Sequence, residues 1–289
     1  AGVIWLCFTG GDPLTRKDFL DIYSYAKDKG FIITIFTNGY SMTEEIAEYF
    51  KKRTPFVIEM TLNAVTEDLY QKISQVKGSF TKVRKGIDLI LKENLALKIK
   101  TEITKDNLGE FHKIQSFIEG LGLKFRPSSD LHARLNGDSA SCNLRISPQE
   151  VLCLNGKRWL SDNDCRLSQK REDTSRLRSG QGRQKTDLFH CAIGGGDGIN
   201  LDPCGNMFLC NLIRKPAFNL LKVDIEYASN KLLPLVRNKK FVSNSKCKGC
   251  NLREFCRWCP GRAYLEADNE EAPIPYYCER AKFFAKAKK

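Results

Sequence analysis

The sequence predicts an α/β fold, with parallel strands joined by crossover helices, followed by a small cysteine-rich α+β domain. Three observations carry this expectation. Short apolar runs and amphipathic segments alternate five times between residues 3 and 126, the rhythm of a parallel sheet, whether closed toward a barrel or open and doubly wound. Polar turn residues recur where each run stops, and in either architecture ligands gather at the C-terminal ends of the strands. All but one of the twelve cysteines lie beyond residue 141. Long apolar runs are few in the last third, and a small domain that buries little needs cross-links, which metal–thiolate bonds supply.

Residues 3–8 are β-branched, apolar and aromatic, and read as a buried strand. Thr9-Gly10-Gly11-Asp12-Pro13 ends it. A helix over 15–29 follows, with Phe19, Ile22, Tyr23 and Ala26 at helical spacing and Gly30 as its stop. The second strand, 31–36, ends in Thr37-Asn38-Gly39 before a helix over 43–52. The third, 56–62, ends in Thr61-Leu62-Asn63 and precedes helices over 67–74 and 80–92. The fourth is 97–103, followed by a helix over 108–121, and the fifth is 123–126. Taken singly, Gly10, Gly11, Asp12, Pro13, Thr37, Asn38, Thr61, Asn63, Thr104, Asn107 and Arg126 are ordinary turn residues. Their recurrence at successive strand ends marks a candidate site.

Beyond Ser129 the rhythm lapses. Residues 147–154 read as a short helix with Ser147-Pro148 at its start. Residues 156–190 are polar and basic, a linker with a mobile loop over about 169–186. Segments 197–201 and 207–210 read as a hairpin turning at Asp202-Pro203-Cys204-Gly205-Asn206, and 222–236 and 261–267 as helices, with 275–289 last and carrying Cys278.

No signal peptide is evident, because run 3–8 has no basic lead-in. No apolar stretch approaches the ~20 residues of a membrane span, so a soluble, cytoplasmic protein with no membrane partner is expected. A net charge of +13 suggests nucleic acid. However, Lys and Arg are spread along the whole chain, denser only in 157–185 and at the C-terminus. The ordinary reading is solvated faces. The functional one is a basic groove for an acidic or flexible peptide, with nucleic acid disfavoured.

The most specific stretch is Cys247-Lys-Gly-Cys250-Asn-Leu-Arg-Glu-Phe-Cys256-Arg-Trp-Cys259, two C-x2-C pairs five residues apart. A C-x2-C turn converges two sulfurs on one centre, and two pairs this close cannot both be disulfides without severe strain. With Cys191, Cys204 and Cys210 upstream and Cys278 downstream, the region reads as iron–sulfur or zinc binding. Cys7, Cys142, Cys153 and Cys165 have no regular spacing and read as unligated thiols.

These residues resemble the radical S-adenosylmethionine enzymes that carry a C-terminal SPASM domain. Thr9-Gly10-Gly11-Asp12-Pro13-Leu14 is similar to the family's GGEP motif with Asp for Glu, and Thr37-Asn38-Gly39 and Thr61-Leu62-Asn63 lie at family-like distances from it. The cysteine series is similar to the SPASM signature. Thirteen residues separate Cys191 from Gly205 and four more lead to Cys210; then come C-x2-C-x5-C-x2-C, with x2 where the family has x3, and Cys278.

The resemblance implies a partial (β/α)6 TIM-like barrel lacking its first β/α unit over 1–145, a bridging region over 146–190, and a SPASM domain over 191–289. It implies S-adenosylmethionine at Gly10, Gly11, Asp12, Pro13, Thr37, Asn38, Thr61, Asn63 and Arg126. It also implies two auxiliary 4Fe-4S clusters, the first on Cys191, Cys210 and Cys259 and the second on Cys247, Cys250, Cys256 and Cys278. A fourth ligand of the first would come from Cys204, Cys165 or His190, or its iron would stay open.

The family's C-x3-C-x2-C segment, which holds the cofactor-cleaving cluster, is absent from these residues. The chain is therefore expected to be an N-terminally truncated fragment, inactive as it stands, with that third cluster only in the full-length protein. Asn211 follows Cys210 where sulfatase-maturing members place a proton-accepting aspartate, and an amide lacks that basicity. The implied activity is hydrogen-atom abstraction by a 5′-deoxyadenosyl radical that oxidises or cross-links a residue of a peptide or small-protein substrate. A flavodoxin or ferredoxin would supply single electrons. The alternatives are a zinc-binding α/β interaction module, possibly associated with nucleic acid, and a degenerate, non-catalytic member.

Overall fold

The computed structural model describes residues 2–155, 184, 186–191 and 198–287. Almost all of the basic stretch 156–185, including Cys165, lies outside them. The chain divides into two compact units, Gly2–Asp130 and Leu131–Lys289.

In the first unit, strands β1 (Trp5–Phe8), β2 (Ile32–Thr37), β3 (Val57–Thr61), β4 (Leu97–Glu102) and β5 (Arg126–Ser128) form one parallel sheet in the order β1-β2-β3-β4-β5. A doubly wound sheet reverses its order at a switch point, whereas a barrel wall adds each strand beside the last. The sequential order therefore selects a partial barrel. Helices α1 (Phe19–Asp28), α2 (Glu44–Lys52), α3 (Glu67–Ser74), α4 (Ser79–Lys92) and α5 (Phe111–Gly120) fill the connections.

Alternation in the strands sets which face is covered. Ile33 and Ile35 of β2, Ile58 and Met60 of β3 and Ile99 of β4 are fully buried in one core with Tyr23, Phe50, Ile87 and Ile90 from the helices. Each such side chain contributes about 1.5–3 kcal/mol. α2 shows how the ends are fixed. The Thr43 hydroxyl accepts from the Ile46 amide at 3.2 Å, Glu44 and Glu45 stand in the first turn, and Lys51 and Lys52 stand in the last, matching the helix dipole.

Several boundaries differ from expectation: α5 begins only at Phe111, after a separate 3-10 turn over Leu108–Glu110, and two further shifts in the first unit have a visible cause. α1 begins at Phe19, because Pro13–Thr15 forms a separate 3-10 turn capped by the Asp12 side chain. β5 lies at Arg126–Ser128 and not at 123–126. Leu123 is still tied back to the Ile118 carbonyl, and Phe125 packs edge-on against Phe111.

The second unit holds α6 (Pro148–Asn155), an antiparallel sheet of β6 (Asn200–Leu201), β7 (Asn206–Phe208) and β8 (Phe218–Asn219), then α7 (Ile225–Arg237), α8 (Pro260–Ala267) and α9 (Pro275–Ala287). Its core gathers Leu188, Phe189, Met207, Leu209, Leu232 and Phe241, with Cys191, Cys247 and Trp258 packed against it. Residues 131–145, grouped with the barrel on sequence grounds, belong to this unit. Arg145 anchors them. Its guanidinium pairs with Glu266, with Nη1 to Oε2 at 2.9 Å, and donates to the Leu131 carbonyl and the Tyr277 hydroxyl. No helix of the described residues is long and apolar enough to cross a membrane.

Candidate functional site

The strand ends of the first unit are laced together by side chains singled out in the sequence. At the end of β1, the Asp12 carboxylate caps its own turn through the Leu14 amide at 3.0 Å. It also accepts from the Thr37 hydroxyl at 2.9 and 2.8 Å and from the Asn38 amide at 2.7 Å. Thr37 in turn accepts from the Gly39 amide, and the Asn38 side chain accepts from the Tyr40 amide.

Between β3 and β4, Asn63 Oδ1 accepts from the Glu102 amide at 2.9 Å. The buried Asn107 carboxamide donates to the carbonyls of Asn63 and Glu102. The carboxamides of Asn63 and Asn107 thus hold the rim. Gly10 and Gly11 do not owe their size to packing. A Cβ on either would meet no atom within 4 Å, and Gly10 sits at φ +124. Two small residues over open space leave backbone accessible to a ligand, which fits the methionine end of S-adenosylmethionine.

The sheet face away from the helices is charged. Register places Phe36 beside Glu59, Thr61 beside Lys100, and Lys100 beside Arg126. Lys100 Nζ lies 3.3 Å from Glu59 and 3.9 Å from the Phe36 ring centroid, and Arg126 lies 3.9 Å from the same carboxylate. Lys100 and Arg126 thus share one carboxylate, and Glu102 follows Lys100 on the same face of β4. The sequence did not single out Glu59. Its signal was a carboxylate in the middle of Val57-Ile58-Glu59-Met60-Thr61, an otherwise apolar strand.

In the second unit the sulfurs fall into two sets. Cys210, Cys259 and Cys191 form the first. Burial pushes the Cys210 thiol up, the Leu212 and Ile213 amides oppose this, and Cys259 and Cys191 raise it further. Burial likewise raises Cys259, against the pull of the Arg262 amide and guanidinium. Cys259 sits at the N-terminus of α8, where the Arg262 amide points at its sulfur at 3.5 Å. Gly261 admits Leu212 beside that helix, since a Cβ there would stand 2.8 Å from the Leu212 Cβ.

The second set is Cys247, Cys250, Cys256 and Cys278. Burial pushes Cys247 up to about 11, opposed by Ser245 and reinforced by Cys278, Cys256 and Cys250. Cys278 is raised by burial and then by Cys250. The Arg253 guanidinium, depressed by burial, is held toward charge by Cys247, Cys250 and Cys256.

All seven are free thiols, the soft donors that iron–sulfur clusters and zinc require. Among the described residues, no three His, Cys, Asp or Glu side chains stand close enough to share one metal ion. Cys204 is an exposed thiol on the β6–β7 turn, and a His190 ring nitrogen lies 2.7 Å from the Asp187 carbonyl. Cys7 and Cys142 are also free thiols, whereas Cys153 is disulfide-bonded.

Residues 2–107 match the model of the Radical SAM superfamily. The AdoMet-dependent heme synthase of Methanosarcina barkeri is 28% identical over 117 residues, covering 40% of this chain and 34% of its own. The PqqA peptide cyclase of Granulibacter bethesdensis is 24% identical over 121 residues, covering 42% and 32%. The matched segment thus spans about a third of the length of these curated relatives. The solved structure of native anSMEcpe with bound AdoMet and Kp18Cys peptide aligns with a TM-score of 0.64 at 16% identity, over 99% of this chain and 83% of its own. That likeness is one of fold, and it extends over both units.

Proposed function

From the premise that residues 2–107 are a radical SAM superfamily domain, we propose that the protein oxidises or cross-links a residue of a peptide or small protein. It would bind S-adenosylmethionine at the strand ends of the first unit and auxiliary iron–sulfur clusters in the second. The observations that carry this reading are the superfamily match over residues 2–107 and the gathering of seven free thiols in the second unit.

Cys191, Cys210 and Cys259 would hold one cluster, and Cys247, Cys250, Cys256 and Cys278 the other. The Gly10–Pro13 backbone would take the methionine end of S-adenosylmethionine, with Thr37, Asn38, Thr61, Asn63 and Arg126 around the rest. S-adenosylmethionine bound there would supply hydrogen-atom abstraction once reduced by one electron from a cluster on a C-x3-C-x2-C segment, which these residues lack, and the auxiliary clusters would take up the electron left on the oxidised product. The chain's own contribution is placement. Asp12 fixes the β1 and β2 ends against each other, Asn63 and Asn107 fix β3 and β4, and Lys100 and Arg126 beside Glu59 offer cationic groups to a ligand. A flavodoxin or ferredoxin would deliver electrons.

A second reading, tetrapyrrole modification, is suggested by the name of the heme synthase relative, whose match over 117 residues is as long as that of the PqqA peptide cyclase over 121. The peptide reading is supported by the PqqA peptide cyclase and by a peptide bound to a structure that shares the fold of both units. The test is anaerobic turnover of protein that carries the C-x3-C-x2-C segment, with S-adenosylmethionine and a chemical reductant. Release of 5′-deoxyadenosine is expected to rise with a short peptide encoded beside the gene, which should lose two hydrogens by mass spectrometry. Stimulation by a tetrapyrrole and not by any peptide would overturn the proposal.

A further inference from the structure

A buried carboxylate is stable only when its oxygens are fully hydrogen-bonded, so the direction of those bonds indicates what it serves. Glu271 is 7% exposed and lies in the turn between α8 and α9. Its Oε1 accepts from the Val242 amide at 2.7 Å, and its Oε2 from the Ser243 amide at 2.9 Å and from the Ser243 hydroxyl. Its carbonyl accepts from the Ser245 hydroxyl at 2.5 Å, and that same hydroxyl accepts from the Cys247 amide at 3.2 Å.

The neighbouring Ala272 carbonyl accepts from the Trp258 indole at 2.8 Å, and the Trp258 amide points at the Cys256 sulfur at 3.4 Å. A few residues later the same turn runs into α9, which carries Cys278. One short turn is therefore tied to three of the four segments that supply the second sulfur set.

We propose that Glu271 is a positioning residue for the Cys247/Cys250/Cys256/Cys278 set, fixing the Val242–Cys247 approach and, through its turn, the Cys256 loop. The inference rests on the reading of that set as a cluster site. Three donors converge on two oxygens, which requires an acceptor-only group. A glutamine would turn an NH2 toward one of the donors. Outer-shell groups of this kind hold ligands in register and are felt in how tightly metal is retained.

The test is to reconstitute wild-type protein and the variants Glu271→Gln, Ser245→Ala and Cys247→Ser anaerobically with iron and sulfide. Iron release to a chelator and the EPR spectrum of the reduced protein are then measured. Glu271→Gln should retain iron against the chelator about 10–100-fold less tightly in one component, the component that Cys247→Ser abolishes. Ser245→Ala should shift that component less, and the double variant Glu271→Gln/Cys247→Ser should lose nothing further. Wild-type iron retention and spectrum in folded Glu271→Gln protein would overturn the inference while leaving the cluster reading intact. If wild-type protein itself takes up no iron, the cluster reading falls and the inference with it. If Glu271→Gln does not fold by far-UV circular dichroism, Ser245→Ala decides: an unshifted component overturns the inference.

Discussion

The Thr37 hydroxyl, at the end of β2, donates to both carboxylate oxygens of Asp12, at the end of β1, at 2.9 and 2.8 Å. Asp12 stands where the GGEP motif carries a longer glutamate. Here the side chain acts between strands, holding the glycine turn and the Thr37-Asn38-Gly39 turn in one arrangement.

Asp12→Ala should therefore leave the Thr37 hydroxyl and the Asn38 amide without their acceptor. A loss of about 1–3 kcal/mol is expected in urea denaturation, together with weaker S-adenosylmethionine binding by calorimetry. Thr37→Val, which removes one donor and keeps the shape, should cost less on both measures.

The same rim depends on a close helix approach. A Cβ at Gly86 in α4 would stand 2.4 Å from the Gly39 carbonyl oxygen and 3.2 Å from the Met42 Cβ. Gly86→Ala should force α4 away from the β2 turn and destabilise the first unit by about 1–3 kcal/mol, read as a lower thermal midpoint. Gly109→Ala, where a Cβ meets nothing within 4 Å, serves as the neutral control.

In the second unit, Arg145 and Glu266 are 7% and 9% exposed. Removing one partner strands a buried charge, so Glu266→Ala should cost about 3–5 kcal/mol. Tyr277→Phe, which deletes only the hydroxyl between Arg145 and Leu131, should cost about 1 kcal/mol. Denaturant titration of the two variants checks the order.

Burial raises the Cys247 thiol from 9.0 to about 11 in the metal-free fold. Because the folded value lies above the unfolded one, the protonated thiol is fully present, and its contribution unchanged, below the unfolded value. That contribution is lost as pH rises through the interval. The metal-free protein should therefore lose stability between about pH 9 and about pH 11, and Cys247→Ala should lose less. Metal uptake deprotonates the thiol, so cobalt(II) titrated as a spectroscopic probe should bind more tightly as pH rises from about 7 to about 9.

Strands such as Val57–Thr61 and helices such as α2 were legible because a local period or cap announces them. β8 was not, since two residues, Phe218 and Asn219, carry no period. The β5 register was misplaced because Phe125 owes its position to Phe111, a tertiary contact. The turn motifs named the right strand ends, but not that Asp12 and Asn63 act on neighbouring strands. Glu59 meets Lys100 and Arg126 only once strands are paired. Residues 131–145 joined the second unit through Arg145, whose partner lies 121 residues away, beyond any pattern of spacing. The cysteine pairs stood out because their spacing is itself local, whereas Glu271 acts across a turn on residues 28 and 29 positions away and left no such trace.

If the two thiol sets hold iron–sulfur clusters, both elements will be found by iron and acid-labile sulfide analysis of anaerobically reconstituted protein, run beside Cys210→Ser and Cys256→Ser. Equal iron and sulfide are expected in the wild type, a partial loss in each variant, and near-complete loss when both are combined. Protein that binds neither element, or takes up zinc in their place and stays colourless, would contradict the cluster assignment.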